Sequence, residues 1–140
     1  MSFILSTDSC CDIPKDELRA RGIRCINFSF SYELKGETKI LEDDFQSDAE
    51  ILEFYRLLRT GVFPKTTQIG IEAHYEYFRS ILDGKTDILH VCLSSGISGT
   101  YQSACTAAAR IREEFGVNVY VHDTKTGTIG QRQLLDDAEV

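Results

Sequence analysis

The chain has 140 residues, 42% of them hydrophobic and 26% charged, which suits one soluble globular domain that buries a core without staples. Its net charge of −7 repels phosphate backbones, so nucleic acid is not expected as a partner. No apolar run approaches the roughly 20 residues of a membrane span, and no signal peptide opens the chain, so a cytoplasmic protein is expected.

A short buried strand is predicted over residues 3–7, ending at Thr7-Asp8-Ser9. A helix follows, with Asp12 as its cap, Pro14 in its first turn and Gly22 as its stop. Residues 23–32, "IRCINFSFSY", alternate apolar and polar and predict one strand. "ELKGETK" reads as a surface hairpin or loop. Ser47-Asp48-Ala49-Glu50 is a capping box, and Ile51, Leu52, Phe54, Tyr55 and Leu58 follow at helical spacing up to Gly61. "VFPKTTQIG", residues 62–70, reads as a loop, because Pro64 disfavours helix at Phe63. Residues 72–82 predict a helix. Residues 87–93 form a continuous apolar run, the mark of a strand covered on both faces. A helix from Tyr101 to about Phe115, a strand over 117–122 and a last helix over 128–139 complete the order.

Strands alternating with helices predict an α/β fold: a mostly parallel sheet with helices on both faces, joined by right-handed crossovers. Ligands of such sheets bind beyond the carboxyl ends of the strands. Thr7-Asp8-Ser9, Leu93-Ser94-Ser95-Gly96 and His122-Asp123-Thr124 all follow strand ends, so they are expected on one edge. Thr66-Thr67-Gln68 joins them if the helices pack suitably.

The segment "LSSGISGT", Leu93 to Thr100, carries the most chemistry. A helix start leaves backbone N–H groups unpaired and favours negative charge. Gly96 and Gly99 admit a close ligand, and Ser94, Ser95, Ser98 and Thr100 add hydroxyls. These features suit a small anion such as a carboxylate or phosphate. A plain strand-to-helix turn, with Ser98 or Thr100 as N-cap, explains the motif equally well.

Sharper motifs fail on spacing. There is no Gly-Lys-Ser/Thr for a P-loop and no G-x-S-x-G elbow. Gln102 stands where a dinucleotide fingerprint needs its third glycine. A triad of Ser95, His122 and Asp123 is disfavoured because adjacent residues at a strand end point apart. His90 is expected in the core and His74 in solvent. The five cysteines contain no C-x-x-C, so no disulfide framework, metal or cofactor is expected.

"TDSCCDIP", "FPKTTQIG", "DILHVCLSSGISGTYQSA" and "VYVHDT" resemble, in order, the signature segments of the DegV family of bacterial fatty-acid-binding proteins. The segment from Ser94 to Ala104 is the most specific. The resemblance implies a protein, itself not an enzyme, that holds one long-chain fatty acid between two domains. It would present the carboxylate to a separate fatty acid kinase. The family's carboxylate ligands match Thr66 and Ser95. Thr67, Ser94, Gly96 and Ser98 line the same loops, with Asp8 and Ser9 as a neighbouring anion-binding or structural loop. Hydroxyls and N–H groups suit a carboxylate that must later accept a phosphoryl group, whereas a lysine salt bridge would hold that oxygen too firmly.

Two departures stand out. The loop reads Thr-Thr-Gln-Ile-Gly, where the family has Thr-Ser-Gln-Pro-Ser. Family members are also about twice this long. Residues 1–140 therefore correspond to the first domain, without the second, lipid-covering one, and a homodimer through the uncovered face is expected. Two other readings stand beside this one. One is a hydrolase or phosphotransferase using Ser95 or Asp8; the other is a domain that only self-associates.

Overall fold

The computed structural model describes residues 3–139. Four parallel strands form its main sheet: β1 (Phe3–Asp8), β2 (Arg24–Ile26), β6 (Asp87–Cys92) and β7 (Val119–Asp123), in the order β2-β1-β6-β7. The chain passes outward from β1 to β2, then returns to the other side of β1 for β6 and β7. The strand order therefore reverses between β1 and β6, and this switch point opens a crevice at their carboxyl ends.

Helices cover both faces, as the alternation predicts. On one face α1 (Lys15–Ala20) and α5 (Thr128–Ala138) pack Leu18 and Leu135 against Leu5 and Val91. On the other, α3 (Ile71–Ile81) and α4 (Thr100–Phe115) pack Tyr75, Phe78, Ala104, Ala107 and Ile111 against Ile88. The alanines let α4 lie close to the sheet, and that stripe predicts its buried face.

A second sheet was not expected. The run 23–32 divides at Asn27-Phe28 into β2 and β3 (Ser29–Leu34). β3 pairs antiparallel with β4 (Glu37–Glu42) and with β5 (Lys65–Thr67). The predicted hairpin is therefore present, while the predicted loop 62–70 contains a strand, with Thr66 opposite Phe30. Asp43 N–H donates to the Phe28 carbonyl, and Phe28 N–H donates to Ser9 Oγ, so the crossing point between the sheets is tied to β1.

Helix α2 (Asp48–Arg59) keeps its predicted cap: Ser47 Oγ accepts from Glu50 N–H, and the Glu50 carboxylate accepts from Gln46 N–H. Its apolar face meets Phe30 and Phe45 through Phe54, but no residue of α2 is fully buried.

Two local expectations are corrected. Asp12 does not cap α1. It sits in the left-handed conformation (φ 53°) at the end of a 3-10 turn, Ser9–Cys11, and Pro14 precedes α1 with no side-chain cap. His74 is fully buried rather than solvated. It lies on the α3 stripe with Tyr75 and Phe78, and its Nδ1 meets the Gly70 carbonyl at 3.1 Å.

Candidate functional site

The strand-end loops do share one edge, and hydrogen bonds across the switch point hold them there. Asp8, last in β1, is fully buried. Its Oδ2 accepts from Leu93 N–H at 2.7 Å, and its Oδ1 accepts from Cys10 N–H at 3.1 Å and Gln131 Nε2 at 3.0 Å. The Gln131 amide also donates to Thr7 Oγ1 and the Val91 carbonyl. Burial pushes the Asp8 carboxyl above its ordinary range, against the pull of these donors. Both oxygens are thus engaged inside the protein. Asp8 and Ser9 close the crevice; they are not an open anion loop, and Asp8 cannot reach a substrate as a nucleophile.

Asp8, His90 and Cys92 do converge within 4.8 Å, which the sequence reading missed. They face one another because the register that pairs Ser6 with His90 and Thr7 with Val91 brings Asp8 beside Cys92, with His90 two residues earlier on the same face. His90 is in the core as expected, its Nδ1 2.8 Å from Ser6 Oγ. Burial holds its pKa down at about 3 and pushes the Cys92 thiol up, aided by the Asp8 charge. Metal binding here would require a thiolate, and Asp8 already has three N–H donors, so the cluster reads as packing. Burial and the Asp8 charge also push Cys10 up to about 12, so the Cys10-Cys11 pair, both free, holds unreactive thiols.

The loop between β6 and α4 closes largely on itself. Ser94, buried, accepts from Gly96 N–H through its hydroxyl, and from Ile97 and Ser98 N–H through its carbonyl. Ser98 Oγ accepts from Thr100 N–H at 3.2 Å, so it acts as a local cap ahead of the helix. Ser94, Gly96 and Ser98 therefore shape the loop. The expected nest of free N–H groups is mostly occupied by the loop's own oxygens.

What stays open is Ser95. It is exposed, and its hydroxyl lies 2.5 Å from Asp123 Oδ2 and 3.2 Å from Lys125 Nζ. Asp123 Oδ1 accepts from the N–H groups of Ser95 and Lys125, and Lys125 Nζ lies 2.6 Å from Asp123 Oδ2. Slight burial opposes it, but the Lys125 ammonium, the Ser95 hydroxyl and these N–H groups hold the Asp123 carboxyl well below the usual range. Sequence reasoning missed Lys125 and argued against a lysine. Residue 125 is 30 positions from Ser95 and reaches it only because β6 and β7 are neighbours. His122, exposed on the same strand, takes no part, so the disfavoured triad is absent. An ammonium paired with Asp123 has no lone pair with which to deprotonate Ser95, so an activated serine is missing as well.

The segment carrying Thr66 packs beside this loop. Ile69 N–H donates to Thr100 Oγ1 at 3.2 Å, and Ile69 joins Phe28 and Leu93 in a small core. The Gln68 amide lies directly over Gly99, where a Cβ would stand 2.4 Å from Oε1 and would push the flexible glutamine side chain aside. Thr66 and Thr67 are exposed on β5, just before that contact. A cleft of about 860 Å³ lies elsewhere. It runs between α1 and α2, lined by Ile13, Ile51 and Phe54 but rimmed by Asp12, Asp16, Asp43 and Asp48. Those carboxylates disfavour an anionic head group.

A family model described as "Uncharacterised protein, DegV family" matches residues 2–139. A DegV domain-containing protein of Caldanaerobacter subterraneus is 32% identical over 129 residues, covering 92% of this chain and 43% of that protein. A Thermus thermophilus structure, described as fatty acid binding of a DegV family protein, superposes with a TM-score of 0.72 at 29% identity. It covers 99% of this chain and 46% of its own. A DegV lipid-binding protein from Thermotoga maritima gives 0.78 at 28%, covering 99% and 47%. The chain thus spans about half the length of the curated relatives and solved structures it matches. Among the described residues no helix is long and apolar enough to cross a membrane.

Proposed function

Because this chain belongs to the DegV family, we propose that it is one lobe of a fatty-acid-binding protein, holding the ligand carboxylate at Thr66 and Ser95. The observation that carries this reading is the contact of the Thr66-Thr67-Gln68 segment with the β6–α4 loop, through Gln68 over Gly99 and Ile69 on Thr100. It brings two exposed hydroxyl-bearing segments to the switch-point edge, where α/β sheets bind ligands. The fatty-acid and lipid binding described for relatives of 28–29% identity supports the ligand class.

In this reading the half-length missing relative to those proteins supplies the other wall of the acyl tunnel. The assembled protein is a carrier rather than an enzyme; it works in the cytoplasm and offers the carboxylate to a fatty acid kinase. The carboxylate beside Ser95 is Asp123, a weak base because Lys125 and its N–H donors hold it well below the usual range, and Asp8 is buried; both speak against the hydrolase or phosphotransferase alternative.

The test is stearate binding by calorimetry to the chain joined to a relative's second half. Thr66→Ala and Ser95→Ala should each weaken affinity roughly ten- to a hundredfold, the worth of one hydrogen bond to a charged group. Unchanged affinity in both variants would show that the head group lies elsewhere.

A further inference from the structure

Ser95 has one hydroxyl proton, and its use is fixed by its neighbours. The Asp123 carboxylate can only accept, and the Lys125 ammonium can only donate. The proton of Ser95 therefore points to Asp123 Oδ2, and Lys125 donates to Ser95 Oγ. In this arrangement the hydroxyl has no proton left for a second carboxylate. An approaching anion also meets the Asp123 charge, 2.5 Å from the oxygen meant to receive it. Lys125 offers both a spare donor and a positive charge. Of its three N–H bonds, one goes to Asp123 and one to Ser95, which leaves the third. Its side chain is 75% exposed, so that donor is open to solvent. The backbone holds it there: Lys125 adopts φ 57°, a conformation uncommon for a residue with a side chain, and its N–H is tied to Asp123 Oδ1.

We propose that Lys125 is the cationic receptor of the ligand's carboxylate, with Asp123 as the counter-charge that holds Ser95 and Lys125 in place until the ligand arrives. The proposal rests on the head-group assignment to the Ser95 loop and deepens it. On binding, the Lys125 ammonium turns its free N–H to the carboxylate, and the Ser95 hydroxyl rotates from Asp123 to the same ligand. Asp123 keeps the N–H bonds from Ser95 and Lys125 throughout. The site then selects an ionised carboxylate over a neutral head group of equal chain length, because only the former gains from the ammonium.

The test uses the 140-residue chain with two short probes, octanoate and 1-octanol, whose binding depends less on an enclosing second lobe. Backbone amide shifts of Ser95 and Gly96, and the Lys125 ammonium resonance, are followed by NMR. Octanoate should move all three signals and octanol should not. Lys125→Met should weaken octanoate about two- to fivefold, the range of an exposed ion pair, and leave octanol unchanged. Asp123→Asn should tighten octanoate.

If octanoate moves the Ser95 amide but leaves the Lys125 ammonium still, or binds Lys125→Met as it binds the parent, Lys125 is not the receptor and the Ser95 assignment survives. If octanoate moves neither Ser95 nor Gly96, the head-group assignment and this proposal fail together. The ammonium measurement needs no substitution, so it decides the question even if the variant does not fold.

Discussion

Acidification from pH 7 to pH 5 should destabilise this fold through one buried imidazole. His90 is fully buried, and its pKa is held at about 3, chiefly by burial and further by His74, whose ring centre is 5.8 Å away. In the unfolded chain it returns to about 6.5. The folded value is depressed for a base, so the unfolded state takes up the proton first. The stability that neutral His90 contributes is complete above about pH 6.5 and is lost as pH falls from there towards 3. A gap of about 3.5 units corresponds to roughly 5 kcal/mol in full, of which about 2 kcal/mol is lost between pH 7 and pH 5. His74 is lowered by the same burial and adds in the same direction. Asp8, raised by burial, acts oppositely, since a folded state that binds the proton more tightly gains on acidification. Urea unfolding at the two pH values measures the sum: the midpoint should fall by about 1 M at pH 5. A His90→Gln variant isolates the imidazole, because glutamine can still bond Ser6 but does not titrate. Its difference between the two pH values should be smaller by about 2 kcal/mol. An equal difference in parent and variant would refute the assignment of the effect to His90.

Asp8→Asn should cost about 1–3 kcal/mol in urea unfolding. Whichever oxygen becomes an amide then faces the Leu93 N–H or the Cys10 and Gln131 donors. Equal stability would mean that Asp8 is already protonated in the fold. Gly130→Ala should lower stability by about 1–2 kcal/mol although alanine favours helix. A Cβ there would stand 2.4 Å from Thr126 Oγ1 and 2.8 Å from its Cγ2, on a branched side chain with little freedom; a stabilised variant in thermal melts would contradict this. The chain alone should self-associate and retain little long-chain fatty acid after purification. Ile40, Leu52 and Phe63 are 75%, 57% and 83% exposed, and uncovered apolar surface of this kind finds a partner. A light-scattering monomer carrying one equivalent of stearate would overturn that expectation.

Local pattern was enough to read the elements whose environment is uniform along their length. The apolar run at β6 is flanked by helices on both faces, the alanine stripe of α4 lies against the sheet, and the capping box of α2 is satisfied within four residues. From that alternation the parallel sheet follows, and with it the gathering of Asp8, Ser94 and Asp123 at one edge. The burial of His74 was also legible: it falls with Ile71, Tyr75 and Phe78 at helical spacing, although the charged residues around it obscured the stripe.

Other features needed the tertiary structure because they depend on which distant segments meet. Residues 23–32 alternate except at Cys25-Ile26, too slight a break to mark a division, and the pairing partners reveal that β2 joins the parallel sheet while β3 turns to β4 and β5. Three residues at β5 are too few to show a period, so its strand exists only because β3 offers it an edge. Asp123 and Lys125 looked like the end of a strand in the sequence. Their contact with Ser95 arises because β6 and β7 are parallel neighbours whose carboxyl ends coincide, which places side chains 28 and 30 residues apart within hydrogen-bonding distance. A sequence specifies its periodicity residue by residue, but the charges around a site are set by strand order, and strand order is chosen by the packing of the whole core.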